Sequence, residues 1–242
     1  MSRPNGHELR SAETRARLID AAIEIFGEMG YEAASTRELA NKGLVNMSAI
    51  TYHFCGKREL YLAASEKIGD YAANLVAPLI EQLDKAPKDV LARQLETTAV
   101  GFLDIMLDEV TPNSWAMFLA RCTAEHDEAF DRIYDRALAP LHRSMVRAAI
   151  ALSNGTLNED GVRLRTSSTI AAVISFRLLP GIVLRGMGWK QLQPKQTMQI
   201  TAMVRELVRN GFLTGWTDAN LATSPASAKP MKVRKPPLSA RT

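Results

Sequence analysis

Apolar side chains recur at helical spacing along most of the chain, and no stretch alternates apolar and polar residues as a strand does. In the first such segment Leu18, Ala22, Ile25 and Phe26 fall on one face of a helix. This spacing, together with the Pro, Gly, Asn and Asp residues that interrupt it, predicts about nine helices, over 12–29, 36–42, 47–53, 57–84, 88–109, 113–126, 128–153, 159–187 and 195–214. The pattern therefore predicts an all-α protein.

Local signals divide the first part of the chain into three helices. Gly30 ends the first helix, and Ser35 with Glu38 forms an S-x-x-E capping box that begins the second. Gly43 ends the second helix, and Asn46 is placed to cap the third. Two short helices joined by a tight turn, behind a longer supporting helix, are the pattern of a helix-turn-helix.

The third helix has two chemically different faces. Ile50 and Phe54 are spaced to anchor it on the unit, so the opposite face is free to enter a DNA major groove. There, hydroxyl side chains can hydrogen-bond to base edges, apolar ones suit a thymine methyl, and the others can reach phosphates at the rim. The candidates are Ser48 and Thr51 (hydroxyl), Met47 and Ala49 (apolar), and Tyr52, His53 and Lys57 (rim).

Charge is unevenly distributed along the 242 residues, whose net charge is +4. Residues 1–72 carry nine basic and ten acidic side chains, whereas residues 221–242 carry five basic and no acidic ones. Nucleic-acid binding by the N-terminal part must therefore depend on which face its few cations occupy. The segments predict a helix-turn-helix domain over 12–72, a helical effector-binding and dimerisation domain over 73–216, and a disordered basic tail over 217–242.

Several classes of protein are disfavoured by the same sequence. Two cysteines are too few for a disulfide framework or a zinc site, and they suit a reducing cytoplasm. The most apolar window, 169–189, is interrupted by Arg177, Pro180 and Arg185, which predicts a buried helix and no membrane span. Four scattered histidines and no glycine-rich phosphate loop leave no enzyme site, metal site or cofactor to propose.

Residues 14–64 resemble the N-terminal domain of the TetR family of bacterial transcriptional regulators. The resemblance rests on A-A-x-x-x-F-x-x-x-G-Y from Ala21, T-R-E-L-A from Thr36 and I-T-Y-H-F-x-x-K from Ile50. It implies that Thr36 contacts a phosphate, that Arg37 reaches a base edge, and that the third helix reads DNA. The family's usual turn glycine aligns with Leu44, while Gly43 lies one residue earlier.

Two later segments, "EHDEAFDRIYDRALAPLHRSM" and "TIAAVISFRLLPGIVLRGMGW", resemble the C-terminal domain of CecR-like regulators within that family. The resemblance implies a pocket for a small-molecule effector, and methionines beside aromatic rings suit varied apolar ligands. The candidate lining residues are Phe102, Met106, Trp115, Phe118, Arg121, His142, Met145 and Arg177. Arg177 lies inside an apolar run, so it must pair with an acid across a dimer or meet a ligand.

One recognition helix reads only a few base pairs, so specific binding needs two of them about one DNA turn apart. The family resemblance implies a homodimer through helices 159–187 and 195–214, although these could also be ordinary core helices. We therefore expect a cytoplasmic, ligand-responsive repressor that binds a palindromic double-stranded DNA operator, with helix 57–84 moving the DNA-binding domains about a bend at Pro78. The alternative is a helical protein-interaction module without specific DNA binding, favoured by Leu44 and the acid-balanced N-terminal unit.

Overall fold

The computed structural model describes residues 6–125, 127–153 and 158–213, so the predicted tail 217–242 lies outside the described residues. All regular structure in these ranges is helical, which confirms the all-α prediction. The α-helices are α1 (Gly6–Met29), α2 (Thr36–Lys42), α3 (Ser48–Phe54), α4 (Lys57–Asp84), α5 (Leu91–Leu107), α6 (Asn113–Glu125), α7 (Glu128–Ile133), α8 (Ala139–Ser153), α9 (Glu159–Leu178), α10 (Pro180–Met187) and α11 (Pro194–Val208). Two π-helical segments, Tyr134–Leu138 and Arg209–Leu213, continue α7 and α11.

The local signals in the N-terminal part act as the sequence indicates. Gly30 ends α1 with a φ of 85°. The side chain of Ser35 accepts the amide of Glu38, and the Glu38 carboxylate accepts the amide of Ser35, so the capping box is formed. Asn46 Oδ1 accepts both the amide and the hydroxyl of Ser48 at 3.1 Å each, which caps the start of α3.

The predicted helix 159–187 is in fact two helices. Leu179 leaves the helical region with φ −129° and ψ 42°, and α9 and α10 meet at an angle of 83°. Pro180 explains the break, because it has no amide hydrogen to donate and disfavours helical backbone at the residue before it. By contrast α4 runs through Pro78 without interruption.

Two apolar clusters form the interior. One lies in the C-terminal bundle and joins α4, α5, α8, α9 and α11 around side chains such as Leu95, Phe102 and Met145. The other lies beneath the helix-turn-helix, yet it includes Phe118 of α6 and Ile133 of α7 as well as residues of α1 to α4. The helix-turn-helix therefore shares its core with the start of the bundle.

Contacts between α1 and α6 reinforce this shared core. The Arg121 guanidinium donates to the carbonyls of Gly27 and Glu28 at 2.9 and 2.8 Å, which satisfies two carbonyls in the last turn of α1. A Cβ on Gly27 would lie 2.3 Å from the carbonyl oxygen of Ser114, so the approach of the two helices requires glycine there. Helices α1 and α6 are thus in direct contact through both side-chain and backbone atoms.

Candidate nucleic-acid interface and ligand cavities

Helix α3 presents a polar face to solvent and is held from behind. Ile50 and Phe54 are 1% and 5% exposed, and both belong to the apolar cluster beneath the helix-turn-helix. On the outer face, Tyr52 is 74% exposed and Met47 is 55% exposed, and Ser48 and Thr51 are also exposed. These four side chains of the face predicted to read DNA are therefore accessible in the described part of the chain. Ala49, which is also predicted to read DNA, is half-buried.

The first residues of α2 and α3 lie side by side. The hydroxyl of Thr36 is 3.7 Å from Met47 Sδ, at the distance of a weak hydrogen bond to sulfur. Arg37, the next residue of α2, is exposed. The two residues predicted on α2 thus lie at the same end of the motif as the start of α3.

The turn between α2 and α3 depends on Gly43 and Leu44. Gly43 has an ordinary φ of −74°, and a Cβ at this position would lie 3.3 Å from both Leu18 Cδ2 and the Leu39 carbonyl oxygen. Leu44 takes the left-handed conformation with a φ of 53°, and its side chain is 81% exposed. Leucine therefore takes the backbone conformation that favours glycine, while the glycine occupies the crowded position.

The candidates for phosphate contact lie at the end of α3 and the start of α4. His53 is half-buried and its ring packs edge-on against Tyr52, with ring centroids 4.9 Å apart. Lys57 is the first residue of α4, and its Nζ lies 4.4 Å from the centre of the Tyr31 ring and 3.4 Å from the Glu32 carbonyl oxygen. These contacts hold the ammonium group at the surface beside the helix start, where a phosphate is favoured.

Ion pairing shows which basic side chains of residues 1–72 are already paired with a carboxylate and which are not. Three of them are paired with carboxylates, namely Lys42 with Glu24, Arg58 with Glu128 and Lys67 with Asp20. Arg37 and Lys57 have no carboxylate within 4.0 Å among the described residues. The near-neutral charge of residues 1–72 is therefore compatible with available cations next to α3, of which Arg37 and Lys57 are two.

Sequence reasoning missed Arg15 of α1 as a neighbour of α3. Its guanidinium carbon lies 5.0 Å from the centre of the Phe54 ring, at the C-terminal end of α3. The periodicity of α1 shows that Arg15 is outside the buried stripe, but it does not show which neighbouring helix lies beneath it.

A small cavity of about 80 Å³ lies between α4, α5, α6 and α9 and includes three of the predicted effector residues: Met106, Trp115 and Arg177. Tyr71 of α4 also lines it, packing edge-on against Trp115 at 5.1 Å and lying 3.2 Å from the hydroxyl of Thr111. The Arg177 guanidinium donates to the carbonyls of Asp108 and Thr111 at 3.1 and 2.8 Å. Within one protomer, Arg177 is thus satisfied by backbone carbonyls of the α5–α6 connection, a partner that the sequence did not indicate.

A larger cavity of about 310 Å³, here called the α7–α9 cavity, lies between α6, α7 with its π-helical continuation, α8 and α9. His142 is the predicted effector residue that lines it. The residues that line it are Leu119, Thr123, Phe130, Tyr134, Leu138, His142, Ser167, Ile170, Ala171, Ile174, Ser175, Leu178 and Leu179. Helical periodicity could not separate these side chains from ordinary core residues, because both kinds repeat at the same spacing.

The other four predicted effector residues have different surroundings. Phe102 and Met145 are packed in the core of the bundle, and Phe118 is packed in the core beneath the helix-turn-helix, each at most 2% exposed. Arg121 holds the end of α1. None of these four lines either cavity in the part of the chain that the structure describes.

The described residues contain no group of three or more His, Cys, Asp or Glu side chains that could hold a metal ion. Within residues 6–125, 127–153 and 158–213, no helix taken alone has the length and apolar content of a membrane span; α9 and α10 reach that length and composition only together, as a bent pair.

Two protein families match parts of this chain. Residues 18–64 match the family described as bacterial regulatory proteins, tetR family. Residues 91–212 match the C-terminal domain of the HTH-type transcriptional dual regulator CecR. Together the two matches include α3, the start of α4, and the residues of α9 that line the two cavities.

Individual relatives extend over most of the chain. The transcriptional dual regulator CecR of Shigella flexneri is 27% identical over 201 residues, which cover 81% of this chain and 90% of the relative. The transcriptional repressor Rv3405c of Mycobacterium tuberculosis is 29% identical, with 71% and 92% covered. Among solved structures, a TetR-family regulator of Mesorhizobium loti has the same fold, with a TM-score of 0.59, 16% identity, and 84% and 96% covered.

Proposed function

Because the chain belongs to the TetR family of bacterial transcriptional regulators, with a CecR-type C-terminal domain, we propose that it is a ligand-responsive repressor. It binds a palindromic operator in the cytoplasm as a homodimer, and an effector in the C-terminal domain weakens that binding. The observation that carries the DNA-binding part is the outer face of α3, where Ser48, Thr51 and Tyr52 are exposed while Ile50 and Phe54 anchor the helix.

Base reading is assigned to the exposed side chains at the start of α2 and along α3. Hydroxyl groups at Ser48 and Thr51 hydrogen-bond to base edges, and the guanidinium of Arg37 suits a guanine. Met47 and Ala49 make apolar contacts with thymine methyl groups, while Tyr52 packs at the rim. Thr36, His53 and Lys57 contact phosphates, which position the motif without reading sequence.

The dimer is proposed through α9 and α11. Both helices expose large apolar side chains in the single protomer: Leu164 is 65% exposed, Met198 is 73% exposed and Met203 is 37% exposed. Large apolar side chains that a single protomer leaves exposed are candidates for an interface between subunits. A symmetric pair brings two α3 helices to two half-sites, as a palindromic operator requires.

Effector control is proposed to pass through α7 to α4, without the bend at Pro78 that the sequence suggests. Arg132 and Arg136, one in α7 and one in its π-helical continuation, pair with Glu66 and Asp70 of α4. Next to them the Tyr61 hydroxyl donates to Asp127 at 2.7 Å. A shift of α7 would therefore act on the half of α4 that begins directly after α3.

The far end of α4 is held separately. Arg147 of α8 donates to both carboxylate oxygens of Asp84 at 2.7 Å each, and Ser144 donates to the same carboxylate. This attachment holds the C-terminal end of α4 in place, so a shift of α7 would tilt the helix about that end. Coupling then needs only that the effector bind more tightly to the arrangement with the lower operator affinity.

The test is footprinting of the DNA upstream of the protein's own coding region. The wild-type protein should protect two symmetric half-sites about one helical turn apart. Thr51→Ala should weaken this protection, while Thr97→Ala, which changes an exposed threonine on α5, should leave it unchanged. Protection that is equal at all sequences, or equal in Thr51→Ala and wild type, would contradict specific recognition by α3.

A further inference from the structure

We propose that the α7–α9 cavity binds a neutral, mainly apolar small molecule that has one hydrogen-bonding group, and that this molecule is the effector. The inference rests on the ligand-responsive function proposed above and names the site and the chemical class of its ligand. It departs from the residues that the sequence suggests, of which this cavity includes His142 alone.

Size separates the two cavities. The α7–α9 cavity has a volume of about 310 Å³, whereas the cavity beside Arg177 has about 80 Å³. Pockets for drug-sized molecules begin at roughly 300 Å³. The smaller cavity therefore has room for a few atoms, and the larger one has room for an organic molecule.

The walls define the ligand's chemistry. Phe130 and Tyr134 lie on one side, with ring centroids 5.8 Å apart, and Ile170, Ile174 and Leu178 of α9 lie on another. No Asp, Glu, Lys or Arg is found among the described residues that line the cavity. An ionised ligand would lose its hydration there without gaining a countercharge, so a neutral molecule is favoured.

His142 and Ser167 form a polar group in the cavity wall that would orient a bound ligand. His142 Nε2 lies 3.0 Å from the Ser167 hydroxyl and 3.4 Å from the Arg163 carbonyl oxygen. Ser167 is exposed and its hydroxyl can turn, so it can accept from or donate to a single polar group of the ligand. Ala171, one turn further along α9, is also exposed and lines the cavity, so the cavity is reached from solvent beside it.

The location also suits an effector. Phe130 and Tyr134 reach the cavity from the same short stretch whose Arg132 and Arg136 contact Glu66 and Asp70 of α4. A ligand in the cavity therefore contacts one side of this stretch while α4 contacts the other. The smaller cavity is lined by α4 directly, so it is the difference in size, and not location, that separates the two cavities.

The experiment is a fluorescence titration of the full chain with two probes that differ by one charge. N-phenylnaphthylamine is neutral and apolar with a single N–H donor, and its sulfonated analogue is an anion of nearly the same shape. The neutral probe should bind saturably at one site per protomer. The affinity for the anionic probe should be lower by a factor of at least about ten.

Substitutions then place the probe. Ala171→Leu and Ala171→Phe should reduce the affinity for the neutral probe in order of size, by about tenfold for phenylalanine. Ala124→Phe, at an exposed alanine of α6 that does not line the cavity, is the matched control and should bind as wild type does. Ala72→Phe, which obstructs the smaller cavity, should also leave the affinity unchanged. Circular dichroism of each variant checks that it is folded, which the exposure of Ala171 favours.

Three results would overturn the inference: equal binding of the two probes, wild-type affinity in Ala171→Phe, or loss of binding in Ala72→Phe with retention in Ala171→Phe. The titration contains no DNA, so its failure is distinct from failure of the proposed function. If the chain binds the probe but protects no operator, the ligand site is supported and the proposed repressor function is contradicted.

Discussion

Gly43 and Leu44 stand side by side in the turn of the helix-turn-helix, with φ angles of −74° and 53°. Leu44 takes the left-handed conformation. Gly43 occupies the position beside Leu18, where a Cβ would have little room. The turn between α2 and α3 is therefore formed with a strained residue that is exposed to solvent.

Leu44→Gly should stabilise the protein. Glycine removes a strain of about 1 kcal/mol from the left-handed residue, and little burial is lost because Leu44 is 81% exposed. Part of the gain is offset by the greater freedom of glycine in the unfolded chain. Urea denaturation should show a higher midpoint with an unchanged slope.

Gly43→Ala is the companion variant and should have the opposite effect. The added Cβ would lie 3.3 Å from Leu18 Cδ2 and from the Leu39 carbonyl oxygen, so its neighbours must shift. A lower midpoint for Leu44→Gly, or a higher one for Gly43→Ala, would contradict this account of the turn.

Lys57→Ala should weaken binding to all DNA sequences by a similar factor. The ammonium group is proposed to contact a phosphate, so its loss should reduce the slope of log affinity against log salt by about one. Fluorescence anisotropy over a salt series, with operator and unrelated duplexes, measures both quantities. Lys88→Ala is the control, because Lys88 follows the far end of α4, roughly 40 Å from Lys57. A change in the ratio of specific to nonspecific affinity would instead indicate base reading by Lys57.

Leu164→Arg should convert the proposed dimer into a monomer. An arginine at this exposed apolar position of α9 would bring two like charges close together across a symmetric interface. Sedimentation velocity should show the lower mass, and protection of the two half-sites should be lost together. Val110→Arg changes a residue that is 81% exposed in the connection between α5 and α6, and it should leave the mass unchanged. A dimeric Leu164→Arg would place the interface elsewhere.

Arg177→Met should release the connection between α5 and α6. Two charge-assisted hydrogen bonds to the Asp108 and Thr111 carbonyls would be lost, at about 2 kcal/mol of folding free energy. Hydrogen exchange should become faster at residues 108–111, while α3 should keep its protection. Arg185→Met, at an exposed arginine of α10, should change neither property. Unchanged exchange in Arg177→Met would show that the connection is held by other contacts.

Alkaline pH should destabilise the protein through two buried groups. Burial, and then the hydrogen bond to Asp127, raises the pKa of Tyr61, and burial raises the pKa of Cys122 to about 12. The unfolded chain releases these protons at about pH 8.5 to 10, so above that range the folded state binds more protons than the unfolded state. The free energy of unfolding therefore falls as pH rises, by at most about 1.4 kcal/mol per pH unit for each group.

Urea denaturation at a series of pH values between neutrality and strong alkali measures this slope. Tyr61→Phe should make the decline shallower, because the substituted residue has no proton to release. It should also be less stable at neutral pH by about 1 kcal/mol, since the bond to Asp127 is lost. An equally steep decline in Tyr61→Phe would assign the pH dependence to other groups.

The sequence by itself determined the outward face of α3 and most of the helices, apart from the division of 159–187 into α9 and α10. These depend on signals within a few residues: the apolar spacing that buries Ile50 and Phe54, the capping box of Ser35 and Glu38, and the cap at Asn46. Each is a local interaction between residues at most four apart, so it can be recognised before any tertiary contact is known. The break before Pro180 was also a local signal, although the apolar run continues across it.

Only the tertiary structure decided what the predicted effector residues do. Arg177 donates to carbonyls 69 and 66 residues earlier, and Arg121 donates to carbonyls more than 90 residues earlier. Phe102, Phe118 and Met145 repeat at the same helical spacing as the residues that line the cavities, yet they are packed in the cores. Periodicity shows that a side chain points inward, but the position of a cavity depends on how completely neighbouring helices fill the space between them.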